Sequence, residues 1–193
     1  MQSQETNSHT ANSVAKKKNK FAKAGTWFDV QEILTPEDMI RCEALFRRAH
    51  DELVPHLSFD MDAIVRHAQI KLADPERLNY NAWVAYCEGQ PIGFIIGSIS
   101  GFYFSYDRLC QLDVWYVDKR FRGSACAFLL LKRLIQWGAL RGAVRTILAI
   151  VIDKHKPKYV AAFSKMAAKL GFREAGSFYV RDYNATRVDD QRN

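Results

Sequence analysis

Residues 117 to 127, Val-Asp-Lys-Arg-Phe-Arg-Gly-Ser-Ala-Cys-Ala, join an apolar strand pattern to an apolar helix pattern. The small residues Gly123, Ser124, Ala125 and Ala127 line this turn, so a ligand can come close to its backbone. A helix N-terminus carries unpaired N–H groups and the positive end of the helix dipole, and both attract an anion. The chemistry predicted is therefore phosphate binding by the main chain of Arg122, Gly123, Ser124, Ala125, Cys126 and Ala127. The competing reading is a compact strand-to-helix turn that needs small residues for packing alone. No glycine triplet of the dinucleotide-binding kind follows the turn, and Gly-Lys-Ser/Thr occurs nowhere in the chain. Cys126 lies inside the turn with no histidine beside it in sequence, which favours a small packing residue over a nucleophile.

The strand feeding the turn, Leu112-Asp113-Val114-Trp115-Tyr116-Val117, is rich in β-branched and aromatic residues. Asp113 interrupts it. A carboxylate among apolar neighbours must be paired, shift its pKa or cost several kcal/mol. The two-residue strand period places Asp113 on one face with Gln111, Trp115 and Val117. A functional acid is one reading; an ion pair with Arg108 or Lys119, or a solvent-facing strand, are the others.

The elements that must position these groups follow from periodicity. Phe28 to Leu34 reads as a first strand. Thr35-Pro36-Glu37-Asp38 is a strong helix start, with a capping Thr, Pro in the first turn and then acids. Pro55 closes that helix, and Asp60 to Ala73 forms a second. Ala82 to Cys87 and Ile92 to Ser100 are strands joined by Glu88-Gly89-Gln90-Pro91, and Leu109 to Val117 is the next strand. A helix from Phe128 closes near Gly138 and Gly142. A strand over Val144 to Ile152, a helix from Pro157 to Lys169, and one or two strands between Phe172 and Tyr183 complete the pattern. The order βααβββαβαβ implies an α/β fold with a mixed sheet.

At 193 residues and 48% hydrophobic content, the chain can bury a full core as one domain. Its +7 charge is uneven. Residues 1 to 25 hold five lysines against the single acid Glu5, and Gln2 to Ser13 is almost devoid of apolar side chains. This segment reads as a disordered basic arm, residues 1–25, ahead of a domain over 26–193. The arm either contacts nucleic acid or an acidic partner, or serves as a solubilising leader. No stretch approaches the ~20 apolar residues of a membrane span, and no apolar run follows the N-terminal charges as in a signal peptide. Cys42, Cys87, Cys110 and Cys126 are scattered without metal-ligand spacing, so free thiols in a reducing cytoplasm are expected and no metal site is. Phe102, Tyr103, Phe104 and Tyr106 form a candidate exposed aromatic patch, the expected contact if the chain is a homodimer.

The stretch Arg122-Gly123-Ser124-Ala125-Cys126-Ala127 after Val117 resembles the acetyl-CoA signature of the GNAT superfamily of N-acetyltransferases, Arg/Gln-x-x-Gly-x-Gly/Ala. Lys169-Leu170-Gly171-Phe172 resembles a second landmark of the family, and the element order is similar from about Trp27 to Tyr183. The resemblance implies a GNAT fold, with about four helices around a mixed sheet that splays between its fourth and fifth strands. Acetyl-CoA would enter the splay, its pyrophosphate on the turn with Arg122 adding charge, its pantetheine arm along Trp115, Tyr116 and Val117. An amine of a protein, peptide or small molecule would accept the acetyl group, with Asp113 as general base and Gln111 placing a water.

Two positions depart from the family. Ala125 stands where its glycine is usual, and Ala167 stands where many members place a tyrosine as acid to the leaving thiolate. Tyr159, Tyr179, Tyr183 and Ser164 are the substitutes on offer, and His50 and His155 are read as ordinary surface histidines. Phage-encoded members resemble this chain in both respects. The resemblance also admits a catalytically inactive module that binds nucleic acid or protein through its basic arm.

Overall fold

The computed structural model describes residues 27–73, 79–149 and 157–176. The basic arm, His155, Tyr179, Tyr183 and the Tyr159 side chain lie outside the described residues, as do Ile150 to Ile152 and the chain beyond residue 176. The elements are β1 (Asp29–Glu32), α1 (Pro36–Ile40), α2 (Glu43–Leu53), α3 (Met61–Leu72), β2 (Tyr80–Cys87), β3 (Gln90–Gly101), β4 (Arg108–Val117), α4 (Cys126–Leu140), β5 (Ala143–Leu148) and α5 (Pro157–Lys169). The strands form one sheet in the order β1-β2-β3-β4-β5, antiparallel except for the parallel β4–β5 pair. This is the mixed α/β architecture expected, with five helices among the described residues instead of about four.

The extra helix arises because the first helical stretch breaks at Arg41 and Cys42, where Cys42 sits at φ −96° and ψ 4°. Its start is as read: Thr35 caps, its hydroxyl accepting from the Asp38 amide, while Pro36 opens the first turn. The β2–β3 hairpin turns on Glu88 and Gly89, at φ 52° and 74°, the two-residue turn whose twist suits flanking strands. Pro91 pairs with Tyr86 beside a register shift, where a missing N–H costs the ladder least.

Each sheet face carries its own core. On one, Ile95, Leu112, Leu130, Leu131, Leu134 and Trp137 pack β3, β4 and α4 together, with Met166 of α5 and Leu170 just beyond it against them. On the other, α1 to α3 bring Met39, Leu45, Phe46 and Ala68 onto Val84, Phe94 and Tyr116. Gly138 does not end α4. It is buried within the helix, and a Cβ there would lie 2.8 Å from the Cys110 Cβ. Gly142, at φ 72°, is the true stop. Phe172 to Gly176 shows no strand pairing among the described residues, and the rest of the expected closing strands lies outside them. Phe102, Tyr103, Phe104 and Tyr106 are exposed on the β3–β4 loop.

Gly97 of β3 faces α4 so closely that a Cβ would clash with Leu134 Cδ1 and sit 3.0 Å from the Gln111 carbonyl. Strand propensity favours valine over glycine, but Leu134 is fully buried and cannot yield. Gly97→Val is therefore expected to destabilise by about 1–3 kcal/mol, read as a lower urea midpoint at unchanged m. An unchanged midpoint would refute this packing.

Candidate active site

The site begins with one extra residue in β4. Val114 pairs with Ile96 and Leu112 with Gly97, which leaves Asp113 unopposed in a β-bulge. The bulge shifts the alternation. Leu112, Trp115 and Val117 all belong to the α4 side, whereas Asp113 is turned toward Ser98, Lys71 and His67 on the α3 side. The expectation that Asp113 shares a face with Trp115 and Val117 is thus corrected: a two-residue period holds only in an unbroken ladder. Gln111, ahead of the bulge, remains on the Asp113 side, its amide donating to Ser100 Oγ at 2.9 Å.

Pairing of β4 with β5 ends at Leu112–Leu148. From the bulge to Val117, β4 has β3 on one side and no strand partner on the other among the described residues. A bulge bends its strand and raises its twist, which would carry β4 away from a parallel neighbour as the expected splay requires.

β4 runs into the turn through Asp118, whose side chain caps a 3-10 turn at Lys119–Phe121. Gly123 follows at φ 85°, a value natural to glycine. Ala125 sits at φ −69° and ψ −11°, so alanine is accommodated where the family pattern has glycine. The Ser124 hydroxyl donates to the Phe121 carbonyl at 2.6 Å and accepts from the Cys126 amide at 3.3 Å. The amides of Gly123, Ala125, Ala127 and Phe128 are unpaired among the described residues. Gly123 and Ala125 are exposed, and a Cβ on Gly123 would meet nothing within 4 Å. Open space before a ring of unpaired amides at the start of a fifteen-residue helix suits an oxyanion.

The remaining predicted residues divide by role. The Cys126 side chain is fully buried beneath the turn, its thiol pushed up to about 12 by desolvation and then by Cys87. It packs; it is no nucleophile. The Trp115 indole lies toward α5, 6.1 Å from the Phe163 ring, so only its backbone borders the splay. Tyr116 is buried against Phe94, also on the α2 side. Arg122 has partners that its sequence neighbours do not reveal. Its guanidinium forks onto Glu52 of α2, both N–O distances 2.7 Å, while Nε donates to the Val117 carbonyl at 2.9 Å. One turn earlier on α2, Arg48 meets Asp118 at 3.2 Å, and Asp118 also holds Arg120 by a fork of 3.0 and 2.9 Å. Between these pairs lies a cleft of about 220 Å³ lined by Arg48, Glu52, Tyr116, Asp118 and Lys119.

The electrostatics follow the geometry. Desolvation raises the Asp113 pKa, opposed by the Ser98 hydroxyl, which donates to Oδ1 at 2.8 Å, and by Lys71 and His67. Nearby Tyr80 is pushed up to about 12, by burial and then by Asp113. At Glu52 desolvation is outweighed by the Arg122 hydrogen bonds and charge, with Lys119 and the Tyr116 hydroxyl adding, and the carboxyl is held below its ordinary value. Ala167 is buried on α5, and Ser164 is exposed. His50 bonds the Leu57 carbonyl and stacks edge-on against Phe59, a structural task. Sequence reasoning missed Ser98, His67, Lys71 and Glu52, because each meets its partner only through strand register or helix packing.

The profile of the Acetyltransferase (GNAT) family matches residues 39–172. Curated proteins offer no match. Among solved structures, an aminoglycoside N-acetyltransferase, AAC(6')-Iy in complex with CoA, is similar at 18% identity and TM-score 0.61, over 83% of this chain and 97% of that one. The ribosomal-protein-alanine N-acetyltransferase of Brucella melitensis biovar Abortus 2308 is similar at 19% identity and TM-score 0.59, over 81% and 99%. Glucosamine-6-phosphate N-acetyltransferase of Arabidopsis thaliana is similar at 13% identity and TM-score 0.61, over 82% and 99%. These likenesses concern the fold. The profile spans β2 to β5, the bulge and the turn together, and on that ground the chain belongs to the GNAT family of acetyltransferases.

Proposed function

We propose that this protein is an acetyl-CoA-dependent N-acetyltransferase that acts on an amine of a protein, peptide or small molecule. The observation that carries the reading is the continuity of the end of β4 with the amides of Gly123, Ala125, Ala127 and Phe128, both without a backbone partner on that side among the described residues. Acetyl-CoA supplies an acetyl thioester, a diphosphate and an amide-bearing arm. The turn fits the diphosphate, because amides face open space there and no side chain fills it. The β4 edge from Val114 to Val117 fits the arm, since an exposed strand edge pairs with extended amide chains.

Asp113 is the general base of this reading. It stands at the bulge where the splay opens, it is accessible to solvent, and Ser98 orients its carboxylate. Its raised pKa moves it toward the range where a carboxylate accepts a proton from an ammonium most effectively. With Ala167 buried on α5 and Ser164 exposed, the departing thiolate has no acid from α5 among these described side chains. The thiol is a good leaving group without one. The solved relatives act on amines of three kinds, which supports an amine acceptor and leaves its class open. The reading extends to a reducing, cytoplasmic setting, which suits four buried free cysteines, and to kinship with phage-encoded members through Arg122–Ala127. No observation favours the inactive module.

The decisive assay is release of free thiol from acetyl-CoA with a panel of amines. Gly123 and Gly89 make a matched pair for the binding half. Both have positive φ, at 85° and 74°, and neither has an atom within 4 Å of a new Cβ. Alanine at either costs about 1–2 kcal/mol of backbone strain. Only Gly123→Ala is expected to weaken CoA binding, about tenfold or more by calorimetry, for distorting the amide ring costs charge-assisted hydrogen bonds. Equal affinities in the two variants would remove the turn as the binding site.

Asp113→Asn separates catalysis from stability. The folded protein holds the Asp113 proton more tightly than the unfolded chain, so stability falls as pH rises through the carboxylate range toward the raised value. Asparagine removes that penalty and still accepts from Ser98. The variant should match or exceed wild-type stability at pH 7 while turnover drops by about 10²–10⁴ and the acidic limb of the rate profile disappears. Full activity with an unaltered limb would exclude Asp113 as base.

A further inference from the structure

We infer that Glu52 is a positioning residue of the coenzyme site: it holds Arg122 on the β4 carbonyl so that the turn presents its amides, and Arg122 serves as a strut and not as a phosphate ligand. This rests on the coenzyme-binding half of the proposed function and is independent of Asp113 and of the acceptor.

The geometry is specific. Two parallel N–O contacts of 2.7 Å join Glu52 to Arg122, and the third guanidinium donor reaches the Val117 carbonyl at 2.9 Å. Val117 is the last residue of β4, and Gly123 follows Arg122 directly. One guanidinium therefore ties α2 to both ends of the segment that delivers the amides. The guanidinium carbon lies 5.6 Å from the centre of the buried Tyr116 ring, whose hydroxyl also bonds Glu52. Lys119 adds a cation 3.7 Å from the same carboxylate.

Charge argues the same way. A carboxylate beside a diphosphate site is unfavourable unless neutralised, and a forked guanidinium is the group that neutralises it with fixed geometry. Arg122 has thus committed the in-plane edge of its guanidinium to Glu52 and Val117, and in this inference the anion falls to the backbone. Arg48 and Asp118, paired with reversed polarity one turn away, brace the start of the same segment. The two pairs make α2 the outer wall of the turn.

The test is a binding cycle on the full chain, with CoA titrated calorimetrically into wild type, Glu52→Gln, Arg122→Gln, Arg122→Lys and the Glu52→Gln/Arg122→Gln double variant. A strut predicts that each single variant weakens CoA about tenfold, the order for losing one partly screened charged pair, and that the double variant is no worse than either. Arg122→Lys should be as weak as Arg122→Gln, because lysine keeps the charge but cannot fork. In turnover the loss should fall on the KM for acetyl-CoA, with kcat and the acceptor KM unchanged. Near wild-type binding by Arg122→Lys, tighter binding by Glu52→Gln, or additive losses would show Arg122 on the phosphates and overturn the inference. Should Glu52→Gln fail to fold, the lysine comparison decides alone. Absence of CoA binding by wild type would instead overturn the coenzyme reading itself.

Discussion

One residue too many in β4 is the constraint on which this molecule turns. β3 and β4 would pair without interruption if Asp113 had an opposite number. Among the described residues, the ladder with β5 runs to Leu112–Leu148, and past the bulge β4 is paired with β3 alone. Backbone N–H and C=O groups cannot be left bare in a dry interior, so such an edge must meet solvent or a ligand that pairs with it. The same irregularity turns a carboxylate out of the α4 core and toward α3, where Ser98 receives it. The end of β4 and the candidate base thus share one local backbone irregularity, stabilised by a close-packed core on either side.

Downstream, the turn has the geometry that the proposed anion site requires. Gly123 takes a left-handed turn, Ser124 satisfies two backbone groups, and α4 starts with unpaired amides aimed outward. None of these groups is chemically reactive. Binding by main chain needs small residues above and a rigid floor below, and the buried Cys126, Leu130 and Leu131 provide the floor. The wall is α2, joined to the segment by ion pairs of opposite polarity at Arg48 and Glu52, an i,i+4 pair on one helix face.

Much of this was legible in the sequence, for identifiable reasons. The Thr35 cap, the Glu88-Gly89 hairpin and the Pro157 start of α5 are local signals, each written in a few adjacent residues. The strand–turn–helix of the cradle is local too. What misled was anything that depends on pairing across the chain. Period-two alternation set Asp113 beside Trp115, and only the register with β3 reveals that it is not. Gly138 looked like a helix stop, yet its task is to admit Cys110 from the strand beneath. The Arg122–Glu52 fork is equally hidden from local patterns, because Glu52 lies 70 positions away on α2.

Backbone amide NMR reports the central claim most directly. On addition of CoA, the amides of Gly123, Ala125, Ala127 and Phe128 and those of Val114 to Val117 should shift together and saturate with one binding constant. Shifts confined to other surfaces, or none at those residues while CoA binds, would contradict the account.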